Sequence, residues 1–335
     1  MRLPSPIFRP PFNITRASHV VLTCQDLERS LAFYEGVAGL IVSDRSGGRA
    51  FLRGVEEAAH HSVVLEQATD QPSCRRIGFR VLLDEDLDAA FEYLTLLGRP
   101  CVWAEVEHQG RTLVFNDVCG VPIELCATMD TRERLFAKGQ ALQGAPARRL
   151  DHFQVYVPDV GAGIDFYNPL GFRASELIEA DDQPIAAFLY RKGNTHDLVL
   201  FQGPGPQLHH FAFTVPDSVA LLRCCDLAGS LGFGDHIERG PGRHGFEGAF
   251  FIYLLDPDGY RIELFDGNYQ TIDSELEPRV WQASAGRQPW GFPAQESWFR
   301  NASRFEGAEL HEPKSMNSPY TLERYLADRA QRSRG

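Results

Sequence analysis

The stretch DHFQVYVPD, residues 151–159, returns in the same chain as HHFAFTVPD at 209–217. Position for position, His152 matches His210, Phe153 matches Phe211, Val155 matches Phe213 and Val157 matches Val215, and both stretches end in Pro-Asp. Alternating polarity marks each as a strand whose side chains point to opposite faces. One face carries Phe and Val and needs a cover. The other carries His152, Gln154 and Tyr156 in the first copy, and His210, Ala212 and Thr214 in the second. A histidine-bearing face behind an apolar one reads as the lining of a concave sheet. His210 is therefore expected to enter the cleft, and its neighbour His209 to face away as a structural residue.

Two earlier stretches open in the same way, SHVVLTCQD at 18 and IGFRVLLDE at 77. Each of the four is followed by a helical pattern: LERSLAFYEGVAGL, LDAAFEYLTLLG, VGAGIDFYNPLGF and SVALLRCCDLAGSLGF. Glycines near the ends of these patterns suit helix stops. Short apolar strands come next, among them AFLRG, SVVLEQ, TLVFND, AAFLYRK, DLVLFQG and AFFIYLLD. The spacing predicts an α+β fold of four βαβββ modules paired into two domains, residues 15–130 and 149–267. The joint TMDTRERLFAKGQALQGAPARR is expected to form a helix followed by a linker. Beyond residue 267 the pattern stops. The tail, 268–335, contains RVWQASAGRQPWGFP, too aromatic for free solvent, and is expected to cover a domain or a subunit interface.

Composition narrows the function classes. A net charge of −12 over 335 residues argues against a nucleic-acid face, while leaving room for a local basic pocket. No run approaches the length of a membrane span or of a signal-peptide core. Seven cysteines without a C-x-x-C pair read as reduced thiols of a cytoplasmic protein.

Glu263 lies within DPDGYRIELF (256–265), the counterpart of DVCGVPIELC (117–126), between Ile262 and Leu264. A carboxylate in the middle of such a strand is costly unless it is paired or binds a metal. His152, His210 and Glu263 together make the donor set of a mononuclear non-haem Fe(II) site, and Mn(II) accepts the same ligands. The first domain is a natural control. His19 stands in the place of His152 and Glu124 in that of Glu263, but Gly78 is read at the place of His210. That cleft is expected to hold no metal, with residual binding through His60 or His61 as the lesser alternative. Arg239 and Arg243, in the glycine-rich ERGPGRHG (238–245), offer guanidinium groups for a small anionic ligand.

Residues 244–263, HGFEGAFFIYLLDPDGYRIE, resemble the signature of the type I extradiol ring-cleaving dioxygenases, members of the vicinal oxygen chelate superfamily of glyoxalase-like proteins. The resemblance runs over nearly the whole chain. RLDHFQVYVPDV, THDLVLFQG, QLHHFAF and IERGPGRHG are most similar to the subgroup acting on 3,4-dihydroxyphenylacetate. It implies Fe(II) in the C-terminal half only, held by His152, His210 and Glu263. It further implies His196 as acid–base, Tyr253 as a hydrogen-bond donor to a substrate oxygen, and His244, Arg239 and Arg287 around a substrate carboxylate. Two positions depart from the subgroup, Gln154 in place of Asn and Phe188 in place of Trp, both in or near the pocket. The implied substrates are a catechol and O2, the product a muconic semialdehyde of aromatic catabolism, and the assembly a homotetramer. Other readings remain at this point: an extradiol enzyme for a plain, alkyl- or aryl-substituted catechol, a metal-dependent lyase or epimerase, or a metal-free binding protein of the bleomycin-resistance type.

Overall fold

The computed structural model describes residues 3–142, 144–283, 289–315 and 318–332. The first half runs β1 (Ile14–Cys24), α1 (Leu27–Gly36), β2 (Ile41–Ser46), β3 (Arg49–Arg53) and β4 (Val63–Gln67). It continues with β5 (Cys74–Val81), α2 (Asp84–Leu96), β6 (Cys101–Val106), β7 (Gln109–Asn116) and β8 (Pro122–Cys126). The second half repeats the order with β9 (Arg149–Val157), α3 (Val160–Tyr167), β10 (Arg173–Ala180), β11 (Gln183–Tyr190) and β12 (Leu198–Gln202). Its last module is β13 (Gln207–Thr214), α4 (Ser218–Ser230), β14 (Ile237–Arg243), β15 (Phe250–Leu255) and β16 (Arg261–Asp266). Four βαβββ units result.

The acidic turns after the opening strands are helix caps. Asp26, Asp159 and Asp217 each accept a backbone N–H three residues on, from Arg29, Ala162 and Ala220. In the second module Leu83 takes the cap position, and Asp86 reaches back to its N–H at 2.9 Å.

Within each half the opening strands of the two modules pair antiparallel at the centre. The first sheet is ordered β2-β3-β4-β1-β5-β8-β7-β6 and the second β14-β15-β16-β13-β9-β12-β11-β10. The apolar faces of both sheets, with the helices, share one core that includes Phe33, Phe79, Phe153, Phe211 and Phe213. Two reciprocal hydrogen bonds tie the halves: Tyr34 Oη donates to Asp256 Oδ2 and Tyr167 Oη to Asp117 Oδ2, each at 2.8 Å.

The tail adds β17 (Arg279–Gln282) parallel to β10, then α5 (Glu296–Arg300), β18 (Ser303–Arg304) against the start of β13, and α6 (Leu322–Arg332). Among the described residues of the 128–149 joint the predicted helix does not form. Leu135 N–H instead bonds the Val55 carbonyl, Thr131 bridges Ala59, and a 3-10 turn forms at Gly139–Ala141. Backbone pairing to the first domain replaces the local helical bonds. Among the described residues no helix is long and apolar enough to cross a membrane.

Candidate metal centre

Strand register brings the three candidate ligands together. Ala212 of β13 lies opposite His152 of β9 on one side and Glu263 of β16 on the other, while His210, two residues back, lies opposite Gln154. All three ligands are 2% exposed. His152 Nε2 is 3.3 Å from Glu263 Oε2, His210 Nε2 is 3.2 Å from the same oxygen, and the two Nε2 atoms are 3.3 Å apart. The donors form a nearly equilateral triangle. Ligands about 2.1 Å from a common centre at right angles stand about 3 Å apart, so the donor set fits one divalent cation seated on a triangular face.

The remaining atoms of these side chains are held in ways that leave the triangle free to bind. His152 Nδ1 is 3.0 Å from Asp151 Oδ2 and donates to it, which leaves Nε2 as the lone-pair nitrogen. For His210 the orientation passes through a second histidine. His209 Nε2 donates to the Trp298 carbonyl at 2.9 Å, so its Nδ1 accepts from His210 Nδ1 at 2.7 Å and again leaves His210 Nε2 with the lone pair. His209 thus does not face away from the cleft. A register shift between Leu208 and His210 brings its ring to the cleft side, 4.9 Å from Tyr156 and 4.4 Å from Trp298.

Glu263 Oε1, on the far side of the carboxylate, receives His244 Nε2 at 3.1 Å. Burial opposes its charge, but the adjoining His152 and His210 imidazoles and the bond from His244 hold it well below the usual carboxylate range. Burial also disfavours a charge on His152, yet Asp151 and Glu263 push that imidazole up to about 9, while His210, with burial dominant, falls to about 4. A cation bound on the triangle would take the place of the shared proton.

Around the triangle lie most of the other candidates. His196 is 1% exposed, with its ring 4.0 Å from that of His152 and its Nδ1 2.8 Å from Thr195 Oγ1. Burial, then the neighbouring His152, hold it well below its ordinary value, so it is neutral. Tyr253 Oη is 3.0 Å from His244 Nε2, and burial keeps the phenol protonated. Gln154 is 6% exposed and its Nε2 has no hydrogen-bond partner, a donor available to a ligand. Phe188 packs its ring 5.3 Å from His196. Arg239 lies opposite Tyr253 on the neighbouring strand, its guanidinium 4.5 Å from the Trp298 ring, 4.9 Å from Phe251 and 5.5 Å from Tyr253. Arg243 turns instead to the Gly248 carbonyl at 2.6 Å. Arg287 falls outside the described residues.

The sequence reading passed over Asp151, Trp298 and Glu247. Glu247 stands in the quoted motif, three residues after His244, so its presence there was a usable signal. It accepts Thr195 Oγ1 at 2.9 Å and sits 3.6 Å from His196 Nδ1. Burial, then the charge of Glu263, push it up to about 8, which keeps a second negative charge out of the site at neutral pH.

The equivalent place in the first half is closed. His19 lies opposite Gly78, and Gly78 opposite Glu124, so Gly78 corresponds to Ala212 and not to His210 as read from the sequence. The counterpart of His210 is Arg76, which faces Val21 as His210 faces Gln154. Arg76 Nε donates to Glu124 Oε2 at 2.7 Å, and His19 Nε2 bonds the other carboxylate oxygen directly. A guanidinium occupies the electrostatic role that a cation has in the second half. Gly78 is required because a Cβ there would stand 2.2 Å from the His19 ring.

Comparison with known proteins agrees with this architecture. Residues 16–125 and 149–264 match the Glyoxalase/Bleomycin resistance protein/Dioxygenase superfamily. The chain is 31% identical over 289 residues to a metapyrocatechase of Pseudomonas sp. (strain CF600), spanning 81% of this chain and 91% of that protein. It is 29% identical over 290 residues to a manganese-dependent 2,3-dihydroxybiphenyl 1,2-dioxygenase of Geobacillus genomosp. 3, spanning 80% and 90%. Its fold is similar to that of homoprotocatechuate 2,3-dioxygenase from Brevibacterium fuscum, solved with 3,4-dihydroxyphenylacetate, with a TM-score of 0.86 and 35% identity over 93% of this chain and 99% of that one.

Proposed function

This chain belongs to the Glyoxalase/Bleomycin resistance protein/Dioxygenase superfamily, and from that premise we propose that it is an extradiol dioxygenase, opening a catechol ring beside its diol with both atoms of O2 to give a muconic semialdehyde. The finer reading is that its substrate carries a carboxylate side chain, 3,4-dihydroxyphenylacetate or a close analogue. The observation that carries the class is the triangle of His152 Nε2, His210 Nε2 and Glu263 Oε2, whose other polar atoms are all engaged by the protein. Bound there, Fe(II), or Mn(II) in its place, supplies Lewis-acid polarisation of the diol and a redox path between ring and oxygen.

The chain's own residues supply binding and proton handling. His196 is neutral with Nδ1 engaged by Thr195, so Nε2 is the atom that accepts a catechol proton and later returns it. Tyr253 keeps its proton and donates from Oη to a substrate oxygen, oriented by His244. His244 also fixes Glu263 through Oε1, which keeps Oε2 in the triangle. Gln154 adds an amide donor from the same face as His152. Arg239, stacked on Trp298, Phe251 and Tyr253, offers the cationic group for the carboxylate, with Arg287 proposed as a second. The buried, ring-lined setting strengthens such an ion pair relative to water.

A second substrate reading rests on the rings beside His196. Phe188 lies 6.0 Å from Phe246, which lies 5.4 Å from Trp281, and such a wall also suits an aryl substituent. A catechol panel on an oxygen electrode, with the yellow semialdehyde followed by absorbance, decides both points. The proposal expects one O2 consumed per diol and the highest kcat/KM for 3,4-dihydroxyphenylacetate. A preference for 2,3-dihydroxybiphenyl or plain catechol would overturn the substrate assignment, and no oxygen uptake with any diol would overturn the class.

A further inference from the structure

The first half contains a second cluster of metal-binding side chains, separate from its closed His19–Glu124 cleft. Asp44 on β2, His60 in the loop before β4 and His108 in the β6–β7 turn each offer a donor atom within 4.8 Å of the others. β2 and β6 are the two outer strands of the eight-stranded sheet, so the cluster sits where its opposite edges curl together. We propose that Asp44, His60 and His108 bind a second divalent transition metal, of the zinc class, which clips the two edges of the first sheet.

The donors are disposed as ligands. His108 Nδ1 is 3.0 Å from Asp130 Oδ2, and this bond to an outer carboxylate directs Nε2 inward, 3.5 Å from Asp44 Oδ2. His60 is wholly buried, its Nδ1 is 3.2 Å from His61 Nδ1, and its Nε2 has no hydrogen-bond partner. An unpartnered buried imidazole nitrogen is costly in a metal-free role and expected of a ligand. The His60 and His108 rings stack with centroids 3.8 Å apart, so one ring has to tilt out of the stack for both lone pairs to converge on one ion. His108 also has a backbone φ of 62°, an uncommon conformation for a residue other than glycine.

The surroundings suit a cation with one open or carboxylate position. Glu107 Oε1 is 3.6 Å from His108 Nε2, although its other oxygen is held by Arg49 Nη2 at 2.5 Å. Arg132 Nη2 approaches Asp44 Oδ2 only to 3.9 Å. The Asp44 side chain is 43% exposed and that of His108 17%, so an ion has access from solvent. Two imidazoles, one carboxylate and an open position match a four-coordinate zinc site. In the second half Glu176, opposite Phe188, holds the strand position that Asp44, opposite Phe51, holds in the first. There Glu247 N–H bonds Glu176 Oε1 at 2.9 Å and Thr195 bonds Glu247, so hydrogen bonds close the cradle.

The test uses iron-loaded full-length protein dialysed against Zn(II) and then against zinc-free buffer, with iron and zinc counted separately by mass spectrometry. The proposal expects one zinc per chain in addition to unchanged iron, and a raised thermal midpoint. Asp44→Asn and His108→Gln, both at partly exposed positions, should lose that zinc while keeping iron. Asp130→Asn should weaken zinc binding by roughly 10–100-fold through His108. No retained zinc, zinc gained only at the expense of iron, or full zinc retention in both ligand variants would each overturn it. Because zinc is counted independently of iron, the result does not depend on the ring-cleavage reading.

Discussion

Arg76 Nε donates to Glu124 Oε2 at 2.7 Å, and Arg76 holds in the first half the register position that His210 holds in the second. The two halves therefore solve the same physical problem, a carboxylate buried in mid-strand, in different ways. The first half neutralises it permanently with a guanidinium and His19; the second meets it with imidazoles whose free nitrogens converge.

This difference predicts a pH-dependent cost for Arg76→Ala. Burial alone would raise Glu124, but His19 and Arg76 bring it down to about 2 from an ordinary 4.5. Its contribution is therefore full above about pH 4.5 and fades as pH falls toward 2. Removing Arg76 should cost about 1–3 kcal/mol at pH 7, and the gap should narrow at about pH 3.5, where Glu124 is largely protonated in the unfolded chain and in the variant while the native protein still holds it ionised. Urea unfolding at the two pH values measures this, and an equal gap at both would separate Arg76 from Glu124.

The Tyr34–Asp256 bond between the halves predicts the opposite slope. Burial pushes Asp256 up to about 7 from 3.8, so the folded protein holds a proton that the unfolded chain sheds, and stability declines as pH rises from about 4 to about 7. The Tyr34 hydroxyl favours the ionised form. Tyr34→Phe should thus cost about 1–3 kcal/mol and cost more at pH 8 than at pH 5, as read by urea unfolding. A cost independent of pH would mean that the hydroxyl does not stabilise the carboxylate.

Replacing His196 should separate metal binding from proton transfer. His196→Phe keeps the ring plane beside His152 but removes Nε2, so iron content should be unchanged while kcat falls by about 100-fold or more. Single-turnover kinetics with iron-loaded protein give the readout. Unaltered turnover would remove His196 from the reaction.

Arg239→Gln should raise KM for 3,4-dihydroxyphenylacetate by about tenfold or more while leaving plain catechol within a few-fold, because one charge-assisted contact accounts for roughly 1.5–3 kcal/mol. Equal changes for both substrates would assign Arg239 to packing against Trp298 instead.

Much of this was legible in the sequence because strands and helices announce themselves by period and because the module occurs four times. His152, His210 and Glu263 could be singled out since each interrupts an apolar strand at a matching place. The slip from Arg76 to Gly78 has a definite origin. In three modules an Asp caps the helix, and aligning Asp84 and Glu85 of the second module with those caps shifts the strand by two residues, whereas the cap there is Leu83. His209 was misplaced because a bulge between Leu208 and His210 breaks strict alternation, and nothing in QLHHFAF marks it. The joint after residue 128 has helical composition, but its carbonyls and amides find partners in the first domain, a tertiary choice that local propensity does not encode.

The most direct measurement is anomalous diffraction at the iron edge from crystals of iron-loaded protein. One strong peak is expected, bounded by His152 Nε2, His210 Nε2 and Glu263 Oε2, and none between His19 and Glu124. A peak in the first-half cleft, or an empty triangle in protein that retains iron and cleaves catechols, would contradict it.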